Sequence, residues 1–311
     1  MNLIYCGTPQ FAVAPLAALV AAGHTISLVV TQPDRPKGRG MELAFSPVKQ
    51  KALELGLPIA QPEKIKNNPE FRTQLEALAP ECIVVVGYGR IIPRWMLDLP
   101  RHGNINLHAS LLPKYRGAAP IQWAIASGDT VTGNTTMLLD EGLDTGAMLM
   151  QREMAITPED TSVTLAPPLS EMGSALLVET LAGLAAGTLT PTPQDHQRAT
   201  LAPILKREDG RVDFSRNAQT ICNRRRGFQP WPGSFTTFRG KQLTLHAIDA
   251  RANGPHLAPA EIAVEGDSIL AGCSGGTVLA IHELQLEGKR RMTAREFVNG
   301  YQLKPGEKLG A

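Results

Sequence analysis

The chain has 311 residues, of which 43% are hydrophobic and 19% charged, with a net charge of +2. This balance is typical of a globular protein with a sizeable core, and the length favours two domains over one. No apolar run approaches the roughly 18 residues that span a bilayer, and no basic leader precedes the first strand-like run. No Cys-x-x-Cys pair occurs, which argues against a zinc knuckle or a disulfide framework; the cysteines are Cys6, Cys82, Cys222 and Cys273. A cytoplasmic protein without a membrane segment is expected.

Charge is unevenly distributed along the chain. Up to Gln197 there are 14 basic and 18 acidic residues, and the remainder has 17 and 11, so the two parts carry −4 and +6. This excess favours a polyanionic partner for the C-terminal part, and nucleic acid is the obvious candidate. A solvated basic surface without a partner is the alternative.

The first half alternates short apolar runs with helical patterns. Leu3–Cys6 and Ile26–Val30 flank a helix that extends to about Ala22, and Glu81–Gly87 is nearly all apolar, as expected for a central strand buried on both faces. Gly103–His108 supplies another strand. This order predicts an α/β fold with a Rossmann-like, mostly parallel sheet flanked by helices, whose ligands bind beyond the carboxyl ends of the strands.

Between Thr31 and Pro47 lies a polar stretch, Gln32–Gly40, that contains too much proline and glycine for regular structure. Long loops in compact domains are usually functional or disordered, and basic residues on a flexible arm suit phosphate contacts. The basic residues of this arm are Arg35, Lys37 and Arg39. An ordinary solvated loop is the alternative interpretation.

Asn106 and His108 lie two residues apart on a predicted strand that runs into a turn at Pro113. Side chains at this spacing point to one face of a strand, about 6.6 Å apart. The amide can donate to a developing oxyanion while the imidazole moves a proton, which is the pairing that acyl transfer to an amine requires. A structural histidine satisfied by its neighbours is the alternative.

An apolar strand ending near Leu139 leads into an acidic loop that closes with Gly146. A carboxylate in this loop could orient His108, stabilise its protonated form or relay a proton. The spacing alone does not separate the three rivals, which are Asp140, Glu141 and Asp144. A plain turn, or a weak cation site with too few ligands, would also account for the loop.

Pro167 and Pro168 interrupt the helical pattern of Ser162–Ala186. Proline beyond the first turn of a helix costs about 3 kcal/mol, so we expect a kink or a restart near Pro167. The run Thr188–Gln194 predicts an interdomain linker. We therefore expect a catalytic domain over 1–188, a linker over 189–206 and a second domain over 207–311.

Short alternating segments after the linker, such as Ser234–Phe238 and Gln242–His246, predict antiparallel strands. A small barrel is favoured because closure removes exposed edges. Trp231, between prolines, favours core packing over base stacking. Two basic triplets are candidates for RNA contact, although three successive side chains cannot all follow one phosphate track; they are Arg224, Arg225 and Arg226, and Lys289, Arg290 and Arg291.

The motifs Asn106-x-His108-x-Ser110-Leu111-Leu112-Pro113 and Asp144-x-Gly146 resemble those of the folate-dependent formyltransferases. The likeness extends through Gly7-Thr8-Pro9, the arm, Lys114–Trp123 and Gly227–Gly233, so it covers both expected domains. The resemblance implies transfer of a formyl group from 10-formyltetrahydrofolate, without a metal, to the amino group of methionine esterified to initiator tRNA, as translation initiation requires.

The resemblance also implies roles for individual residues. Asn106, His108 and Asp144 fall on the family's catalytic positions, and a turn that helps to form the folate site is made of Ser110, Leu111, Leu112 and Pro113. The arm with Arg39 would insert into the tRNA acceptor end, although Met41–Glu42 lowers its charge. The second domain is expected to be an OB-like β-barrel that binds tRNA. No stable protein partner is implied, and a monomer is compatible with the sequence.

Three alternatives remain open. A formyltransferase could act on a glycinamide or a sugar amine, although the extra domain argues against the former and the missing dehydrogenase domain against the latter. A nicotinamide dehydrogenase is poorly supported, because Gly7-Thr8-Pro9 lacks the Gly-x-Gly-x-x-Gly that admits a pyrophosphate. A non-catalytic RNA-binding protein would leave Asn106, His108 and Asp144 unexplained.

Overall fold

The computed structural model describes residues 1–37 and 42–310, with the backbone alone at 36, 37, 42 and 43. Its internal contacts divide the chain into two compact units. Unit 1 comprises Met1–Ile121, Val131–Ile156 and Thr164–Pro203, and unit 2 comprises Gln122–Thr130, Thr157–Val163 and Ile204–Ala311. Two short segments, at 122–130 and 157–163, thus group with the C-terminal unit.

The first part of the chain alternates strands and helices. In chain order the elements are β1 (Asn2–Gly7), α1 (Val13–Ala21), β2 (Thr25–Val30), β3 (Arg35–Lys37), β4 (Glu42–Ala44), α2 (Pro47–Glu54), β5 (Ile59–Ala60), α3 (Pro69–Leu78), β6 (Cys82–Val86), α4 (Arg94–Leu97), β7 (Asn104–His108), α5 (Pro120–Ser127), β8 (Val131–Leu138), β9 (Met148–Ala155) and α6 (Ser162–Ala186). The predicted strands of this half are confirmed to within one or two residues at their ends.

Seven of these strands form the sheet of unit 1 in the order β5–β2–β1–β6–β7–β8–β9. The five from β5 to β7 are parallel, and β8 and β9 continue the sheet antiparallel to their neighbours. Every residue of β6 is buried, as its continuous apolar run predicts. The predicted mostly parallel α/β sheet is therefore confirmed.

The strand order reverses beside β1, because the chain first builds outward to β2 and β5 and then returns to the other side with β6 and β7. At this point Gly7, the last residue of β1, pairs with Val86, the last residue of β6. Open α/β sheets bind ligands in the crevice at such a reversal. The strand that carries Asn106 and His108 is the next one along.

The basic arm contains more regular structure than expected. Strands β3 and β4 pair antiparallel, with Arg35 opposite Ala44 and Lys37 opposite Glu42. The expectation of no regular structure over Gln32–Gly40 is thus wrong for β3, because local cross-strand hydrogen bonds to β4 form in spite of Pro36. Residues 38–41, including Arg39, lie outside the described residues.

Helix α6 runs without interruption through Pro167 and Pro168, so the predicted restart is wrong. The prolines lie near the start of a 25-residue helix, where they remove only two backbone donors, and fully buried leucines hold the helix in place: Leu169, Leu176, Leu177 and Leu181. Among the described helices, α6 alone has the length and apolar character to cross a membrane. Leu177 and Leu181 pack instead in the core of unit 1, as in a core helix.

The segment predicted to be a linker packs within unit 1 as far as Pro203. Thr192 pairs with Met148 of β9, and the backbone of Arg116 bonds to Thr200 and Ala202. Gln194 is only 5% exposed. These residues are therefore structural parts of unit 1.

Unit 2 contains a six-stranded antiparallel sheet in the order β10–β11–β14–β13–β12, with β15 against β14. The elements after residue 204 are α7 (Ala218–Gly227), β10 (Phe235–Phe238), β11 (Lys241–Arg251), β12 (Ile262–Glu265), β13 (Ser268–Gly272), β14 (Val278–Leu286), β15 (Met292–Thr293) and α8 (Ala294–Tyr301). The expected antiparallel strands are confirmed. Trp231 is 55% exposed, so its assignment to the core is wrong; it lies in a turn outside the sheet.

The C-terminal segment joins the two edges of this curled sheet. On one side Ile262 of β12 donates its N–H to Glu307 O, and on the other Gly310 donates to Thr237 O of β10. Arg239 fixes the segment from the side, because its guanidinium donates to both carboxylate oxygens of Glu307 at 2.7 and 3.1 Å. Closure of the barrel thus depends on residues 307–310 together with the strands.

Acid is expected to loosen this closure. The hydrogen bond from Arg239 holds the pKa of Glu307 below its ordinary value of 4.5. A carboxylate with a lowered pKa stabilises the fold above its unfolded pKa, and this stabilisation is lost as the pH falls through the folded value. Thermal melts from pH 6 to pH 3 should therefore show a smaller loss of Tm for Glu307→Gln than for the wild type. Glu265→Gln, in an exposed pair with Arg251, serves as the control. Parallel pH profiles for wild type and Glu307→Gln would contradict this role.

Candidate active site

Asn106 and His108 occupy the carboxyl-terminal half of β7, which pairs with β6 on one side and β8 on the other. His108 is 6% exposed. The Oδ1 atom of Asn106 is buried and has no hydrogen-bond partner within the described parts of the chain. An amide oxygen without a partner is costly inside a protein, and a ligand N–H group at the carboxyl end of β7 would satisfy it.

The contacts of His108 identify the ring nitrogen that can exchange a proton. Nε2 lies 2.9 Å from the carbonyl oxygen of Tyr115. Because a carbonyl oxygen only accepts hydrogen bonds, Nε2 carries a hydrogen, and Nδ1 is the nitrogen that gains or loses one. Nδ1 faces Asp144 Oδ2 at 3.8 Å, which is too long for a hydrogen bond but close enough to stabilise a positive ring.

Asp144 is the carboxylate of the acidic loop that approaches His108. Its side chain is 13% exposed, and Oδ2 accepts a hydrogen bond from Gly117 N–H at 2.8 Å. The two rivals face elsewhere: Asp140 accepts bonds from Gly142 and Thr145 of its own loop, and Glu141 is 68% exposed. The backbone φ of Asp144 is +52°, a left-handed conformation that the surrounding contacts must maintain.

The strand that precedes Asp144 explains why its loop is constrained. Strand β8 runs antiparallel to β7, with Leu138 opposite Ile105, so it ends beside the start of β7. The loop must then return before Met148 begins β9. Leu138 N–H donates to Ala147 O at 2.9 Å and closes this excursion at its base.

Replacing Gly146 by alanine is expected to move Asp144. A Cβ at this position would overlap the carbonyl oxygen of Leu138, so the loop has to shift. A misplacement of about 1 Å at a reacting group can cost about 10²-fold in rate, so we expect kcat to fall by about that factor. Gly300→Ala is the matched control, since no atom lies within 4 Å of its added Cβ. Unchanged kcat in Gly146→Ala would contradict the requirement for this loop position.

The turn after β7 is held by polar side chains from the neighbouring strands. Thr135 Oγ1 donates to Ser110 O at 2.7 Å and accepts from Leu112 N–H at 3.1 Å. Gln151 Nε2 donates to Leu112 O at 2.8 Å. The Leu112–Pro113 peptide bond is cis. The predicted ligand turn, Ser110 to Pro113, is thus well defined by Thr135 and Gln151, neither of which the sequence motifs singled out.

The candidate phosphate contacts of the arm are only partly described. Arg35 is 69% exposed and pairs with Glu63 at 3.1 Å, an exposed pair of small energetic weight. Lys37 ends β3, and its side chain is outside the described atoms, as is the whole of Arg39.

The first basic triplet serves the internal structure of unit 2. Arg224 donates to Asp209 O and stacks 4.7 Å from the centre of the Phe228 ring. Arg225 donates to His246 O, and Arg226 donates to Thr157 O and Asp160 O at 3.0 and 2.8 Å. Burial lowers the pKa of Arg224 and Arg225. In the second triplet, Arg290 and Arg291 pair with Glu296 and Glu283.

No cluster of three or more His, Cys, Asp or Glu side chains that could hold a metal ion occurs among residues 1–37 and 42–310. The buried thiols are poor nucleophiles, because burial raises the pKa of Cys82 to about 12 and that of Cys273 to about 11. Asn106, His108 and Asp144 bring an amide, an imidazole and a carboxylate together near the carboxyl end of β7. They suit proton transfer and the stabilisation of charge on a carbonyl oxygen.

Comparison with known proteins finds a matching family model for each of the two parts of the chain. Residues 1–181 match the family model described as formyl transferase, and residues 204–302 match formyl transferase, C-terminal domain. The chain is 64% identical over 310 residues to the methionyl-tRNA formyltransferase of Koribacter versatilis, covering 100% of this chain and 99% of that protein. It is 62% identical to the methionyl-tRNA formyltransferase of Acidobacterium capsulatum, with both chains covered in full.

A solved structure shares the fold at low sequence identity. The N-formyltransferase of Helicobacter canadensis, in complex with folinic acid and dTDP-3-aminofucose, superposes with a TM-score of 0.65 at 15% identity, covering 90% of this chain and 98% of that one. The two domain matches and the full-length relatives at 62–64% identity show that the chain belongs to the formyl transferase family.

Proposed function

We propose that this chain transfers the formyl group of 10-formyltetrahydrofolate to the α-amino group of methionine carried by initiator tRNA. The acceptor is supported by the names of full-length relatives at 62–64% identity. The observation that carries the chemistry is the buried His108 ring, whose Nδ1 faces Asp144 Oδ2 at 3.8 Å. The residues in catalytic roles are Asn106, His108 and Asp144.

In this proposal the amine nitrogen forms a bond to the formyl carbon, and the bond from that carbon to the donor nitrogen breaks. Asn106 donates from its amide nitrogen to the formyl oxygen as negative charge develops there. His108, protonated at Nδ1, supports the same charge. The amine gives up a proton to the carboxylate of Asp144, directly or through water, while His108 gives its Nδ1 proton to the donor nitrogen as the bond from that nitrogen to carbon breaks. Transfer of the proton from Asp144 to Nδ1 then restores the ring. Asn106 Oδ1, which has no partner of its own in the described chain, accepts an N–H of the incoming amine.

A folate donor fits the turn beside this site. The donor supplies a formyl group that is activated by its bond to nitrogen, and it keeps this group shielded from water. Ser110, Leu111, Leu112 and Pro113 would line its position, since Thr135 and Gln151 hold the turn rigidly at the end of β7. No metal is required for this chemistry.

We further propose that the arm and unit 2 receive tRNA. The domain limits that we propose are 1–188 for catalysis, 189–206 for the connection and 207–311 for the tRNA-binding barrel. A cytoplasmic location and a monomer without a stable protein partner are parts of the same proposal. Arg35, Lys37 and Arg39 have the exposed position or the charge for phosphate contact, whereas Arg224, Arg225 and Arg226 use hydrogen bonds to hold unit 2 together.

Salt dependence distinguishes these two sets of basic residues. Each phosphate contact contributes about one unit to the slope of log affinity against log salt. We therefore expect Arg35→Gln to lower the slope for tRNA binding by about one unit without a change in Tm. Arg225→Gln is expected to lower the Tm, because His246 O loses its donor, and to leave the slope unchanged. A lowered slope in Arg225→Gln would reassign that residue to the tRNA surface.

The reaction itself is tested with purified enzyme, labelled 10-formyltetrahydrofolate and methionyl initiator tRNA. The expected product is labelled N-formylmethionine, released when the ester bond to the tRNA is hydrolysed. Omission of the tRNA should leave the label on the donor. Binding of tRNA without transfer of label would favour the RNA-binding alternative and contradict the proposal.

A further inference from the structure

We propose that Gln194 is a positioning residue for the formyl transfer reaction, and that it sets the place of Asp144 through a buried link to Arg116. This inference rests on the proposed function, because Asp144 must act in the reaction for its position to matter. Gln194 is 5% exposed and lies 50 residues from Asp144 in sequence, in the segment that the sequence predicts as a linker.

The amide of Gln194 clamps the acidic loop on both sides of Thr145. Its Nε2 atom donates to Asp144 O at 2.9 Å and to Gly146 O at 2.8 Å. A primary amide has two N–H groups, so both are used on this loop. The backbone of Asp144 is left-handed, and these two bonds oppose its relaxation to an ordinary conformation.

Arg116 holds the other end of the Gln194 amide. Its Nε and Nη2 atoms donate to Gln194 Oε1 at 3.0 and 2.6 Å, and Nη2 lies 3.1 Å from His196 Nδ1. Arg116 is 7% exposed. The two acceptor directions of the amide oxygen are thus filled by one guanidinium, which fixes the orientation of the amide and hence of its N–H groups.

The position of Arg116 in sequence links this clamp to the imidazole. Its neighbours contact the two ionisable groups directly: Tyr115 O accepts the His108 Nε2 bond, and Gly117 N–H donates to Asp144 Oδ2. One segment of three residues therefore holds the ring and the carboxylate through its backbone, while its central side chain holds the loop of the carboxylate through Gln194. The 3.8 Å separation of His108 Nδ1 and Asp144 Oδ2 follows from this frame.

The sharpest test is Gln194→Glu, which preserves the shape of the side chain and replaces its hydrogen-bond donor by an acceptor. The carboxylate keeps both bonds from Arg116 but places an acceptor oxygen against Asp144 O and Gly146 O, so the clamp becomes repulsive. We expect kcat to fall about 10- to 100-fold, with KM for the folate donor and for methionyl-tRNA within about twofold of the wild type. Gln197→Glu is the matched control, since this glutamine lies on the surface three residues away.

A double-mutant cycle separates positioning from general stability. If Gln194 acts through Asp144, Gln194→Glu should lower kcat by less than about twofold in an Asp144→Asn background. The pH profile of kcat for Gln194→Glu should also approach that of Asp144→Asn. Gln194→Met removes the bonds without adding charge and should lower kcat in the same direction but by a smaller factor. This second variant keeps the test decisive if Gln194→Glu does not fold.

Each outcome decides the inference. Wild-type kcat in Gln194→Glu, with strong impairment in Asp144→Asn, would overturn the role of Gln194 and leave the proposed function standing. Full additivity in the double mutant would also overturn it, because the effect of Gln194→Glu on kcat would then not pass through Asp144. Wild-type kcat in Asp144→Asn would refute the proposed catalytic assignment itself, and the inference would fall with it.

Discussion

Replacing His108 by alanine is expected to lower the rate of formyl transfer by about 10²- to 10⁴-fold, the range typical of a lost general acid or base. The change removes the imidazole that faces Asp144, and with it the Nδ1 atom that carries a proton in the proposed reaction. A single-turnover assay at saturating donor and methionyl-tRNA measures the effect on the chemical step.

We expect His108→Ala to slow the chemical step and to leave the binding of both substrates nearly unchanged. Affinity for the tRNA and for the donor should stay within about threefold of the wild type, because neither depends on the proton at Nδ1. In the described part of the chain the change removes the hydrogen bond between His108 Nε2 and Tyr115 O, and the loss of one such bond should change the Tm little. A near-normal single-turnover rate would refute the catalytic assignment of His108.

Replacing Asn106 by alanine is the second large effect. Loss of one oxyanion donor typically costs about 10² to 10³ in turnover, and we expect kcat to fall by that factor. The fold should tolerate the change well, since the buried Oδ1 has no partner to lose in the described structure. Steady-state kinetics and thermal melts on the same preparation provide the two readouts.

Asn104 provides a matched control on the same strand. Its Nδ2 donates to Met96 O and to Leu97 O, both at 3.0 Å, so its amide has a structural role. Asn104→Ala should therefore lower the Tm and leave kcat of the folded enzyme near normal, which is the reverse of Asn106→Ala. If both variants lose stability and activity in parallel, Asn106 would be a structural residue.

Much of unit 1 could be predicted because its central strands are continuously apolar. The run from Cys82 to Val86 has no polar residue, and its only stable place is the middle of a sheet covered on both faces. The spacing of two residues between Asn106 and His108 likewise predicted that they lie on one face of one strand. The strands of the barrel could be predicted because hydrophobic and polar residues alternate in them. Residues 307–310, which join the two edges of the sheet, show no such pattern.

The contacts that complete the site could not be predicted from the sequence. Asp140, Glu141 and Asp144 are chemically alike in sequence, and their distances from His108 depend on the return of a loop from an antiparallel strand. Gln194 lies among prolines and threonines, so its segment has the composition of a linker. Its place in unit 1 is set by tertiary contacts, among them the pairing of Thr192 with Met148 and the bonds of Arg116 to Thr200 and Ala202.

The contacts of the basic residues could not be predicted from the sequence either. A run of three arginines predicts an anion-binding surface, yet Arg224 to Arg226 lie on α7 and donate to backbone carbonyls of unit 2. Positive charge alone does not tell whether a guanidinium meets phosphate or its own chain. The fan of directions around a helix explains why one triplet reaches several separate acceptors.

The most direct test of the account is a partition experiment with the wild-type enzyme. One equivalent of labelled 10-formyltetrahydrofolate is offered to equal amounts of methionyl initiator tRNA, methionyl elongator tRNA, glycinamide ribonucleotide and a nucleotide-linked amino sugar. The account predicts that nearly all of the transferred label is found on the initiator tRNA. Preferential labelling of either small amine, or no transfer to any acceptor, would contradict it.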